Sequence, residues 1–209
     1  KAADPASINV AIAGKDRAAM MMGGQSTDAA YWWTKAGFAT LKGREVAPSV
    51  ERLNHLYRRG MPGNSQLPSP EWCEPRRREV AVGDFTIGTT RFKRPGALDD
   101  QAWYSPWLDV AVTGLATTLV RDLGLGRDEH VDILSVGLSA TDYVGHGYGS
   151  EGYEMCVQLA QLDRNLATLF AELDKAGIDY AVALTADHGG LNAPERLNQQ
   201  GYPGAARAA

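Results

Sequence analysis

The sequence predicts an α/β fold: a mostly parallel sheet flanked by helices, with an irregular inserted cap segment. Three stretches carry that prediction. VDILSVGLS, 131–139, is a continuous apolar run of the kind that sits in a parallel sheet covered on both faces. After it, Leu159, Leu162, Leu166, Leu169 and Leu173 recur at steps of three and four, a stripe closed by Gly177 that must pack on the sheet. DYAVALTADHGG then supplies a second buried strand, 180–185, and strand, helix and strand at this spacing make a βαβ unit.

The remaining elements read in order along the chain. INVAIAG, 8–14, is a short apolar run ending in glycine, and AAMMMGG, 18–24, follows after Lys15-Asp16-Arg17; both read as buried strands or turns of one sheet. AYWWTKAGFATL, 30–41, alternates aromatic and polar residues as a strand pair would. PSVERLNHLYRR, 48–59, puts Val50, Leu53, Leu56 and Tyr57 at helical spacing, with Ser49 as the cap of a surface helix. From 60 to 102 the composition turns to Pro, Gly, Asn, Ser and charge, with one β-like run, EVAVGDFTIG; this reads as an insertion or cap within a single partial domain spanning 1–209. Regular structure resumes with a helix over 105–123, Pro106 in its first turn and Gly124 at its end.

Composition excludes several classes. At 209 residues and 44% hydrophobic content the chain can bury one sizeable core. A formal charge of -4 leaves no general basic surface for nucleic acid or anionic lipid. Arg76-Arg77-Arg78, bracketed by Glu74 and Glu79, reads as a solvated loop. The longest apolar stretch, near Leu108 to Val120, is too short for a membrane span. Two cysteines exclude a disulfide-dense scaffold and a four-thiolate zinc site, and Cys73 with Cys156 leaves a disulfide and two separate thiols both open. The opening KAADPASINVAIAG has neither an initiator Met nor a signal-peptide pattern, so the chain is expected to begin inside a longer one.

Ligands of open α/β sheets gather outside the carboxyl ends of the strands. Asp142 and His146 lie just past one predicted strand, Asp187 and His188 just past the next. Each pair alone is a weak signal. Together they form a carboxylate and imidazole set suited to Zn²⁺ or a similar divalent ion, and two such pairs can hold two ions, as phosphoryl-transfer sites do. A rival stands beside them: Gly147 to Gly152 matches G-x-G-x-x-G between strand and helix. A dinucleotide fingerprint turns directly off its strand, however, and the acid at the ribose offset, Glu172, falls within the leucine-striped helix. The glycines therefore read as conformational.

GKDRAAMMMGGQSTDAAYWW (14–33), LSATDYVGHGYGSEGYEM (138–155) and LTADHGGLNAPERL (184–197) together resemble the alkaline phosphatase superfamily. The likeness is to bacterial zinc-dependent enzymes of its type I phosphodiesterase and nucleotide pyrophosphatase branch, the sphingomonad enzymes among them. It implies an alkaline phosphatase-like core, with Asp142 and His146 as ligands of one zinc and Asp187 and His188 as ligands of the other. Lys15 and Arg17 would hold nonbridging phosphate oxygens, which suits the charge that phosphoryl transfer spreads over them. The implied activity is phosphomonoester hydrolysis through a covalent phospho-enzyme, on small-molecule phosphate esters, in a secreted or periplasmic protein. Diester hydrolysis, a sulfatase and an inert fragment are the alternatives.

The chain departs from the family pattern in one respect. The family's Thr or Ser nucleophile and first metal-binding Asp precede the K-x-R pair, and its last metal-binding His lies well beyond the DHG segment. None stands in that order here; His55 and His130 do not match, and Ser139, Thr141 and Thr185 read as strand-end hydrogen bonders. The 209 residues are expected to be the middle of an enzyme, inactive alone.

Overall fold

The computed structural model of the chain describes residues 4–59, 69–89, 92, 100–202 and 204–206. Its strands are Asn9–Ala13 (β1), Ala29–Thr34 (β2), Gly37–Thr40 (β3), Val80–Val82 (β4), Phe85–Ile87 (β5) and Ile133–Gly137 (β6). Its helices are Asp16–Gly23 (α1), Pro48–Arg58 (α2), Trp107–Leu123 (α3), Ala140–Tyr148 (α4), Tyr153–Lys175 (α5) and Pro194–Gln199 (α6).

The main sheet runs β3-β2-β1-β6, with β1 parallel to both β2 and β6, and β2 antiparallel to β3. The aromatic strand pair is this last hairpin, β2 and β3. Strand β1 is central, and Val10, Ala11, Ile12 and Ala13 are wholly buried. Helix α3 packs its apolar length beneath, burying Leu108, Val112, Leu115 and Leu119 in the same cluster as Val10 and Ile12. Each such leucine contributes about 2 kcal/mol by leaving water. Gly124 ends α3 in the left-handed region at φ 65°, as the sequence predicts.

Four expectations are corrected. AAMMMGG is not a strand or turn: it forms helix α1, because Ala and Met are strong helix formers and Asp16 favours the first turn. Met21 stands 84% exposed on it while Ala19 and Gly23 face inward. Ser49 does not cap α2; Ala47 holds that position, Pro48 opens the helix, and Ser49 is buried within it. The leucine stripe of α5 packs mainly on α3 and α4 rather than on the sheet. Only its C-terminal part, Leu169 and Leu173, joins the main cluster, and Leu159 is exposed.

The fourth correction matters most. Residues 180–185 form no strand; Val182 and Leu184 are 57% and 78% exposed. A strand needs a neighbour for its backbone hydrogen bonds, and this segment pairs with none among the described residues. Strand β6 is an edge among the described residues, and, contrary to expectation, 131–139 is not covered on both faces: Ile133 is half-exposed and the rest of β6 only partly buried.

Of the segment expected as an insertion, 60–68, 90–91 and 93–99 lie outside the described residues. The described part forms a separate hairpin, β4 and β5. Val80, Val82 and Ile87 pack on Val144, Tyr148 and Met155, beneath the junction of α4 and α5. Buried Glu154 of α5 anchors the hairpin by accepting from the Gly88 and Thr89 backbone nitrogens at 2.8 and 2.9 Å. Cys73 and Cys156 form a disulfide that ties the segment to the start of α5. Closing a loop of 83 residues restricts the unfolded chain by about 4–5 kcal/mol in the chain-entropy account.

Candidate active site

Strands β1 and β6 are parallel neighbours, so their carboxyl ends share one edge. Lys15 follows β1 after Gly14 and stands at the N-cap of α1; Asp142 follows β6 in the first turn of α4. Their side chains meet, Lys15 Nζ donating to Asp142 Oδ2 at 2.7 Å, with both about a quarter exposed.

The α4 sequence explains its orientation. Ala140, Val144 and Tyr148, four residues apart, form the buried face. Asp142 and His146 fall between them and so occupy the opposite face one turn apart. His146 Nε2 lies 3.2 Å from Asp142 Oδ1. Burial alone would raise the Asp142 carboxyl, but the Lys15 ammonium hydrogen-bonded to it, with His146 and His188 nearby, outweighs that and holds it below the usual carboxylate range.

His188 reaches the same carboxylate from another direction. Its Nε2 lies 3.6 Å from Asp142 Oδ1 and 3.7 Å from Asp187 Oδ2. Its Nδ1 lies 2.7 Å from the Gly189 carbonyl, so donation there leaves Nε2 turned toward the acids. That carbonyl first, and the neighbouring Asp187 next, raise the imidazole above its ordinary value. Thus the structure brings Lys15, Asp142, His146 and His188 together. Asp187 stays on the rim, 86% exposed, and Arg17 is exposed on the first turn of α1.

The donor set of one central carboxylate with two imidazoles suits zinc, though among the described residues no three His, Cys, Asp or Glu side chains are drawn into a finished cage. The site is assembled in its α4 half and open in its 178–192 half. Gly149 joins the halves. Its φ is 84°, and a Cβ there would lie 2.6 Å from the Ala193 nitrogen, so only glycine lets the chain after the DHG segment come this close to the end of α4.

Sequence reasoning missed the aromatic floor. The Lys15 ammonium sits 4.9 Å from the Tyr143 ring centroid, and Trp103 and Tyr104 pack against that ring at 4.9 and 5.5 Å. The signal was the position of Tyr143 directly after Asp142, together with Trp103 and Tyr104 in QAWYSPW. Gly147 lies inside α4 and Gly152 caps α5, so the G-x-G-x-x-G match spans a helix end and not a phosphate-cradling loop off a strand.

The fold is that of a solved alkaline phosphatase: the crystal structure of wild-type alkaline phosphatase PafA matches 97% of this chain with a TM-score of 0.79, over 42% of its own length at 23% identity. The chain belongs to the type I phosphodiesterase / nucleotide pyrophosphatase family, whose model matches residues 7–202. It is 42% identical over 205 residues to alkaline phosphatase PhoK of Sphingomonas sp., and 39% identical over 211 residues to alkaline phosphatase PhoD of Zymomonas mobilis. It covers 97% and 99% of itself in those matches but only 37% and 36% of those relatives, so the chain spans little more than a third of their length.

Proposed function

We propose that these residues are the central part of a secreted or periplasmic, zinc-dependent alkaline phosphatase that hydrolyses small-molecule phosphomonoesters. The observation that carries this reading is the convergence of Lys15, His146 and His188 on Asp142 at the carboxyl edge of β1 and β6. Asp142 and His146 would hold one metal ion, Asp187 and His188 the other. When bound, the metal supplies Lewis-acid stabilisation of phosphate charge.

The chain's own residues do the rest. Lys15, pinned between Asp142 and the Tyr143 ring, orients a cation at the strand edge where a phosphoryl group arrives. Arg17, two residues on and exposed, completes a fork for a dianion. Thr141 is engaged by Gln158 and is not offered as nucleophile. The nucleophile and the remaining metal ligands are assigned to parts of the full-length protein outside these residues. Isolated residues 1–209 should therefore hydrolyse p-nitrophenyl phosphate no faster than their His188→Ala version.

The disulfide supports an oxidising compartment. No helix among the described residues is long and apolar enough to cross a membrane. Diester hydrolysis is the second reading, favoured by the family's description. The full-length protein, stripped with a chelator and restored with zinc, should turn over p-nitrophenyl phosphate faster than its bis ester. The reverse ranking would make it a phosphodiesterase, and full activity in the chelator would end the metal reading.

A further inference from the structure

Helix α4 begins without help from its own N-cap residue: Ser139 makes no side-chain cap hydrogen bond. The cap comes from α3 instead, where Asp109 Oδ1 accepts from the Ala140 backbone nitrogen at 3.0 Å. The second carboxylate oxygen, Oδ2, accepts from Gln158 Nε2 of α5 at 2.9 Å, and the same amide donates to Thr141 Oγ1 at 3.1 Å. Asp109 and Gln158 are wholly buried. Three helices thus meet at one small polar cluster, and its output is the first turn of α4, from which Asp142 projects directly after Thr141 and His146 one turn later.

Such a cluster is costly where it stands. Asp109 interrupts the apolar run WLDVAV of α3, among neighbours that a leucine would join without any desolvation cost. Packing alone therefore does not account for a carboxylate here. A backbone hydrogen bond to Ala140 and a bridged one to Thr141 do account for it, because both fix the helix that bears the ligands rather than the helix that bears Asp109.

We propose that Asp109 and Gln158 are positioning residues of the metal site, clamping the start of α4 so that Asp142 and His146 face one point. The inference rests on the reading of Asp142 and His146 as metal ligands. Groups that orient ligands without touching the metal cost about 10- to 100-fold in metal affinity when removed.

The test uses the full-length protein, with zinc affinity measured by chelator competition and α4 followed by amide hydrogen exchange relative to α3. Asp109→Leu should weaken zinc binding by about 10- to 100-fold and speed exchange in the first turn of α4. Asp109→Asn should rescue both: its Oδ1 still accepts from Ala140, and Gln158, whose Oε1 has no partner among the described residues, can turn its amide to accept from the new donor and from Thr141. Leu115→Ala, a wholly buried α3 change away from the clamp, should lower stability yet keep zinc affinity. Thr141→Val, which spares the fold, should give a smaller loss in the same direction. Zinc affinity undiminished in both Asp109→Leu and Thr141→Val, or a loss in Leu115→Ala equal to that in Asp109→Leu, would overturn the proposal. Should Asp142→Ala leave zinc affinity untouched, the metal reading and with it the positioning role fall, while exchange in α4 still decides whether Asp109 holds the helix.

Discussion

Helix α4 and the segment 178–192 each carry one acid and one imidazole to the same sheet edge, yet only the helix holds its pair in register. Asp142 is 21% exposed, pinned by Lys15 and flanked by His146; Asp187 is 86% exposed and meets the backbone and ring of its own neighbour His188. The difference comes from where the support originates. An i, i+4 pair on a helix is organised by the helix's own hydrogen bonds and by the packing of Ala140, Val144 and Tyr148. An adjacent pair after an extended run inherits its geometry from strand partners, and 180–185 has none among the described residues.

The largest expected effect sets the two acids against each other in the full-length protein. Asp142→Ala should lower zinc affinity by more than about 100-fold, because it removes the carboxylate on which both imidazoles converge. Asp187→Ala should cost less, since His188 keeps its contacts with Asp142 and Gly189. Equal losses in a competition titration would show that the full-length protein organises the second pair as firmly as the first, and would erase the contrast.

Lys15→Met comes next and separates catalysis from metal binding. The ammonium lies 2.7 Å from Asp142 and competes with any cation for that oxygen. Its loss should leave zinc affinity equal or higher while lowering kcat/KM by about 100-fold, the size expected for one oriented charge donor. A parallel fall of both would mean that Lys15 builds the site rather than receives phosphate.

Hydrogen exchange reads the contrast without any substitution. The amides of 143–148 should exchange slowly, as those of a packed helix do, while those of 180–188 should exchange faster because the segment is exposed and 180–185 has no strand partner among the described residues. Slow exchange at 180–185 in the full-length protein would indicate that the run becomes a strand there.

What was legible in the sequence follows the same division. The runs ending at Gly14 and Ser139, the α3 helix and the D-x-x-x-H spacing could be read because local pattern and final structure agree in them. AAMMMGG was misread because an apolar run bounded by glycines suits either state, and helix propensity decided it. The strand at 180–185 was expected from its pattern, but pattern cannot provide a neighbour. Tyr143 and Asp109 were overlooked for a shared reason: each acts through a residue distant in sequence, the ammonium of Lys15 or the backbone of Ala140. Only a lone acid in an apolar helix hinted at Asp109.

That acid gives the prediction most specific to the α4 half. Desolvation, only partly offset by hydrogen bonds from Ala140 and Gln158, raises the Asp109 carboxyl to about 7 from its ordinary 3.8. In the unfolded chain the group gives up its proton near its ordinary value; in the folded chain it keeps the proton until about pH 7. Between those limits the folded state binds more protons, so this group's contribution falls as pH rises from about 4 to about 7 and is level above. Glu154, also raised by burial, adds a slope of the same sign, and Asp142, whose carboxyl is lowered, adds one of the opposite sign at acid pH. Subtracting the Asp109→Asn variant cancels both. The denaturation midpoint of the metal-free full-length protein, measured across that range, should therefore decline relative to Asp109→Asn as pH rises and then run parallel to it. A difference independent of pH would mean that Asp109 is ionised throughout, held so by a cation that α3, α4 and α5 do not themselves supply.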